Sequence, residues 1–423
     1  MHPSRPARLG LVLLLVAGGC EPATPPDTAI RTDSAGVMLV EYSALPPIEE
    51  SRIRIAAEPD LVLGDGVAFE GPDHDFFQIT GVSQLRDGRL VVGNAGSHQL
   101  RLYGADGEFL RSAGRQGDGP GEFRDLWHHQ VLAGDTVVVW DRLARRLQYF
   151  GPEGDFVRST PTYAAPSAEF AGSSELQAVL EDGRLLVFIS STREPTMDVP
   201  ERQPLLVALH RADEGEWDSI RVVPGPTMLI SPVPGENWTQ SRGYAFGGYP
   251  VASGAGATLA VADNAHFRVE LMDPDGRLVS ILSASVPEIP VTSDVLEKEI
   301  DRMVAHAPSG ADLAMYRERM EEQVPASHAP VLPAIRAVFV DAEERIWVER
   351  YDVPVSGPSR WEVFARDGIW IGRVEMPEGF ARGRRASWAP LFSVVSGRLA
   401  GVWTDPDTGV ETVRVYRVIE TGS

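Results

Sequence analysis

Asp106-Gly107-Glu108-Phe109-Leu110-Arg111-Ser112-Ala113-Gly114-Arg115-Gln116-Gly117-Asp118-Gly119-Pro120-Gly121-Glu122-Phe123 is the stretch that decides the fold. It opens on an Asp-Gly turn, where glycine permits positive φ, and runs into a short alternating strand. A glycine-rich loop follows, and a new apolar run begins near Trp127. The glycines invite comparison with a phosphate cradle. Gly114–Gly121 lacks the Lys and Ser/Thr that such a loop needs for the phosphates and their metal. We read it as a crossing from the outer strand of one unit to the inner strand of the next. The same order recurs upstream as Leu61-Val62-Leu63, Gly64-Asp65-Gly66, Gly71-Pro72 and Phe76-Phe77.

Working outward, two hairpin signals alternate along the chain. The first is a turn followed by an apolar strand: Asp87-Gly88-Arg89-Leu90-Val91-Val92, Gly134-Asp135-Thr136-Val137-Val138-Val139 and Asp182-Gly183-Arg184-Leu185-Leu186-Val187. Gly256-Ala257-Thr258-Leu259-Ala260-Val261, Glu344-Arg345-Ile346-Trp347-Val348 and Ser396-Gly397-Arg398-Leu399-Ala400 complete six. The second lies downstream in each unit, at Ala105-Asp106-Gly107, Pro152-Glu153-Gly154, Pro274-Asp275-Gly276 and Arg366-Asp367-Gly368. In the third unit, Leu205 to Val223, it is reduced to Asp213-Glu214-Gly215. The closest copies lie roughly 50 residues apart, the spacing of propeller blades. Two hairpins per unit make four strands, which is one blade.

The expectation is therefore an all-β, six-bladed propeller over residues 36–423. The last unit supplies three strands, ending Val413-Arg414-Val415-Tyr416-Arg417-Val418, and an open edge would remain. The N-terminal strand at Leu61 is expected to close the ring beside it. One segment, about residues 294–323, reads as helical and is placed between blades four and five. Asp294 with Glu297 resembles a capping box. Leu296, Ile300, Met303 and Val304 share one helical face, and Leu313, Tyr316 and Met320 share another. The pair either packs on the propeller rim or covers its central opening.

Val261-Ala262-Asp263-Asn264-Ala265-His266-Phe267-Arg268-Val269 resembles the NHL-repeat signature, and Gly114–Phe123 is similar to the loop joining such repeats. The first unit has Gly93-Asn94 where that family has Ala-Asp, with His98 and Arg101 kept. The second has Trp140-Asp141-Arg142. The chain as a whole resembles six-bladed propeller lipoproteins of bacteria. The resemblance implies a fold and leaves activity open.

The composition agrees with many short strands and turns: 43 % of the 423 residues are hydrophobic, with 41 Gly and 33 Pro. A net charge of −21 repels phosphate backbones, so nucleic acid is not an expected partner. The single cysteine, Cys20, excludes an intramolecular disulfide. It follows Arg5, Arg8, the apolar run Leu11–Ala17 and Gly18-Gly19, the layout of a secretory signal peptide over residues 1–19. That run is too short to span a bilayer. Small residues before Cys20 resemble a lipobox, with Ala17 where Leu is usual. The resemblance implies lipidation of Cys20, anchorage in the bacterial envelope, and a polar tether over residues 20–35. Glu21 in place of Asp favours the outer over the inner membrane. A monomer is expected.

In a propeller, the loops joining strands two and three share a face with the loops joining blades. Asn94, His98, Asp141, Arg142, Asp263, Asn264 and His266 are thus expected beside Arg115, Gln116, Asp118, His128 and His129 on a face that takes a protein, glycan or small ligand. The bland reading is that Asp and Asn there cap backbone amides. The main alternative resembles the lactonases and lyases built on six-bladed propellers, with a divalent metal in the central tunnel held by His128 and Glu175. No other cofactor is expected. No His-Glu-x-x-His and no Gly-x-Ser-x-Gly motif occurs. Asn237-Trp238-Thr239 matches a glycosylation acceptor by chance composition.

Overall fold

A computed structural model describes residues 29–421 apart from 68, 70, 163–165, 233–238, 306, 308–310, 352–356, 382–390 and 406–407. Cys20 and the leader lie outside the described residues, as do Asn237 and Trp238. The strands form six sheets, each antiparallel within its blade. Blade one is Ile79–Gln84, Leu90–Asn94, Gln99–Tyr103 and Phe109–Ala113; blade two is Leu126–Leu132, Thr136–Asp141, Arg146–Phe150 and Phe156–Pro161. Blade three lengthens its outer strands to Glu201–Arg211 and Glu216–Pro232 and adds a fifth, Thr239–Gly243. Blades four, five and six begin at Pro250, Ile335 and Phe392. The first strands of the blades adjoin one another around the axis, from six through one to five.

The blades are buried on both faces, which is why their second strands read as unbroken apolar runs. The two-residue period then sorts side chains between neighbours. Val91 faces the core between blades one and two, while Leu90 and Val92 face the core between six and one. Val137 and Val139 join the former, and Val138 and Trp140 the core between two and three. The remaining interblade cores lie between three and four, four and five, and five and six, so the described residues give one core per blade junction.

The ring closes as expected. Leu61–Leu63 pairs antiparallel with Val413–Val415 of the last strand, and Ile53–Ile55 pairs with Val418–Glu420 of the same strand. The sequence did not reveal what precedes them. Ile30–Ser34, assigned above to the tether, is a strand that forms a hairpin with Val37–Tyr42. Val37–Tyr42 then pairs in parallel with the outermost strand of blade four, Leu278–Ala284. Ser51 and Arg52 hydrogen-bond to Arg373 and Ile371 of blade five. The N-terminal segment thus straps blades four, five and six together before it enters blade one.

The helices are α1 (Ser293–Ala305) and α2 (Leu313–Ala326), between blades four and five. Val295, Leu296, Ile300, Tyr316, Met320 and Val324 form their core with Phe246 and Leu332. Two expectations need correction. The amide of Val295 takes Thr292 Oγ1 (3.4 Å), so Thr292 rather than Asp294 caps the first turn. Leu313, the first residue of α2 after the Asp312 cap, is exposed and does not join Tyr316 and Met320 in the buried face. The pair packs on the loop leading into blade four, where the amide of Ala245 donates to the carbonyl of Ser327 and the carbonyl of Ala245 accepts from the amide of Ala329, and on Tyr351 of blade five. No described helix is long and apolar enough to cross a membrane.

Candidate functional site

The connector Gly114–Phe123 is held by the blade it leads into. Gly114 (φ +92°) ends the outer strand of blade one, and a side chain there would meet the ring of Phe123 at 2.3 Å. Gly64 (φ +87°) and Phe76 repeat this contact at the entrance to blade one. Arg146 donates to the carbonyls of Asp118, Gly119 and Glu122, and Gln148 to that of Glu122. In blade one, Arg101 grips the carbonyls of Asp73 and Asp75 in the same way.

This architecture absorbs most of the expected face residues. Asn94 Oδ1 accepts from the amide of Phe77, Asp141 from those of Arg124, Asp125 and Ala144, and Asn264 from that of Tyr249. All three are buried and pin the incoming connector to the end of the second strand. Asp263 pairs with Arg202 (2.7 Å), and Arg115 with Glu122 (2.6 Å). His98 takes left-handed φ (54°) in its turn, and Arg145, four residues after Asp141, does likewise (52°). His266 is exposed beside its turn.

The histidines expected at the tunnel, His128 and its neighbour His129, lie on the first strand of blade two. Burial pushes the imidazole of His128 down to about 4 and that of His129 to about 3, the latter with a further push from His128. His129 packs against Gly81 and Gly93 of blade one, and neither of its ring nitrogens has a partner among the described residues. No three His, Cys, Asp or Glu side chains are grouped as ligands among the described residues.

Two adjoining hollows lie on the loop face among the described residues. Gln116, Gly117, Asp118, Arg124 and Leu143 line one of about 420 Å³. The other, of about 560 Å³, lies where blade two meets blade three. Trp140, Phe170, Trp217, Ile189 and Leu143 give it apolar walls; Arg142, Arg145, Ser173 and Ser174 give it polar ones. Arg142 Nε donates to Asp125 (2.8 Å), and its guanidinium lies 4.0 Å over the Trp127 ring. Arg145 has no ion pair or side-chain hydrogen bond among the described residues. The indole N–H groups of Trp140 and Trp217 are likewise buried without an acceptor there. Gln116, Asp118 and Arg142 were legible as face residues. Arg145, Phe170 and Trp217 were not, because only the stacking of blades brings them together.

No family model matches the chain, and no curated protein matches it. Several solved structures are similar to it at low identity. A DUF4221 family member from Bacteroides vulgatus is 9 % identical over 88 % of this chain and 100 % of its own (TM-score 0.49). A candidate exported protein from Bacteroides fragilis is 11 % identical over 91 % and 100 % (0.47), and a gluconolactonase from Xanthomonas campestris 14 % over 81 % and 88 % (0.38). At these identities and TM-scores the likeness carries no argument about this chain.

Proposed function

We propose that this protein is a binding module of the bacterial cell envelope, anchored through a lipid on Cys20, that seats a small ligand at the junction of blades two and three. The observation that carries the reading is the 560 Å³ hollow with Trp140, Phe170 and Trp217 in its walls. Ligand sites are concave, largely apolar and supplied with few polar groups, and volumes of about 300–1,000 Å³ are usual. On the same face Asn94, Asp141 and Asn264 are buried and hold connectors in place, so those residues are not available to a ligand.

Two experiments test it. A crystallographic screen of small fragments of mixed charge is expected to place hits in this hollow; hits confined to other surfaces would remove the site. Cys20→Ser is expected to move the protein from the membrane to the soluble fraction and to abolish labelling with a palmitate analogue. Unchanged membrane association would remove the lipid anchor. Among envelope membranes, Glu21 favours the outer one, which fractionation of labelled cells reads directly.

A further inference from the structure

The ligand class follows from charge placed against the grain of the whole molecule. The chain carries −21, yet among the described residues the larger hollow is lined by two arginines and by no Asp or Glu. An acidic surface depletes anions in its neighbourhood, so an anion site on it needs its own local cations. Arg142 is already neutralised by Asp125 and held over Trp127. Arg145 lacks a described partner, which leaves one positive charge at the rim. Beside it stand the flat walls of Trp140, Phe170 and Trp217, with Ile189 and Pro166. His210 stacks on Trp217 (3.9 Å between centroids, 15° between planes) and stiffens that wall from behind. Aromatic walls favour a flat apolar body seated by offset or edge contacts, and a guanidinium fork matches a carboxylate.

Resting on the binding reading above, we propose that the hollow takes an aromatic monocarboxylate, its single negative charge at Arg145 and its ring against Trp140, Phe170 and Trp217. The test is calorimetry of the purified full chain at low salt with three probes of one shape: 2-naphthoate, the neutral 2-naphthalenemethanol, and 2-naphthyl phosphate, whose charge approaches two at neutral pH. Naphthoate is expected to bind at least tenfold more tightly than the alcohol and more tightly than the phosphate. Arg145→Gln should erase that preference and leave the alcohol's affinity in place; Arg145→Lys should keep part of it. Phe170→Ala should weaken all three. Because the Arg145 side chain has no described partner, Arg145→Gln should melt where the parent does, and the melt is measured alongside. Equal affinity for naphthoate and the alcohol, an undiminished preference in Arg145→Gln, tightest binding of the phosphate, or no binding of any probe would each overturn the ligand class. Fragment hits in the hollow, whatever their charge, would then still uphold the site itself, whereas an empty hollow in that screen would end both.

Discussion

Gly114→Ala should destabilise the propeller through two separable effects. The first is conformational: at φ +92° an L side chain is strained, at about 1–2 kcal/mol. The second is steric: the new Cβ would lie 2.3 and 2.8 Å from ring carbons of Phe123 and 3.2 Å from the carbonyl of His98. Phe123 is wholly buried in the core between blades one and two, so it cannot swing clear. Forcing atoms into a packed core costs about 1–3 kcal/mol, giving about 2–5 kcal/mol in total. Gly134→Ala is the control. Its φ is +74° and nothing lies within 4 Å of its Cβ, so it incurs only the first effect. Urea unfolding followed by fluorescence and by circular dichroism reads the difference, provided the two probes coincide. Phe123→Ala alone should cost about 3–5 kcal/mol. Combined with Gly114→Ala it should cost less than the sum, because the obstruction is gone. Equal losses in Gly114→Ala and Gly134→Ala, or strict additivity with Phe123→Ala, would refute the claim that the glycine exists to seat the phenylalanine.

Further outcomes follow from the braces and the buried imidazoles. Asn264→Ala should cost about 1–3 kcal/mol, because the amide of Tyr249 loses its side-chain acceptor in a buried site; a melting point within experimental error of the parent would count against the brace. Tyr42→Phe should cost a similar amount, since the Tyr42 hydroxyl accepts from the amide of Trp370 (2.7 Å) and donates to the carbonyl of Gly368 (3.0 Å). A loss well under this range would show that water replaces it. His129 keeps its proton off in the fold down to about 3, against 6.5 for a free imidazole. The unfolded chain therefore takes up a proton that the folded chain refuses as pH falls below 6.5, and stability drops between there and about 3. At pH 5 the loss from this residue is about 2 kcal/mol. It should appear as the difference between parent and His129→Gln in urea midpoints at pH 7 and pH 5; a constant difference would contradict it.

The ring was legible because each blade repeats the same local chemistry. Turn glycines, apolar runs buried on both faces and the Gly-to-Phe connector are all short-range signals. The match between Leu61–Phe77 and Leu110–Phe123 foretold closure for a physical reason, since both segments seat an aromatic ring on a positive-φ glycine. The strand at Ile30–Ser34 was not legible. It is exposed along its length and has no apolar alternation, and only a hairpin partner makes it a strand. The site was less legible still. Asp, Asn and Arg at strand ends look alike in sequence whether they brace a connector or face a ligand. Burial separates them: Asn94, Asp141 and Asn264 are enclosed, while Arg142 and Arg145 are exposed. Phe170 sits in a connector without a repeat signature, and Trp217 in a hairpin of another blade, so their meeting is a property of the assembled ring.

The strap has a mechanical consequence. Tension on the chain ahead of Ile30 enters the fold at the hairpin, whose first pair is Ile30 with Glu41. Ile30–Ser34 is an outer edge, so load peels its pairs one after another toward the turn at Ala35-Gly36, as a zipper opens. The next strand, Val37–Tyr42, lies parallel to its neighbour in blade four and is tied to blade five through Tyr42. The hairpin is thus a fuse: its pairs open one at a time and release several residues of slack before the strands of the ring are pulled apart.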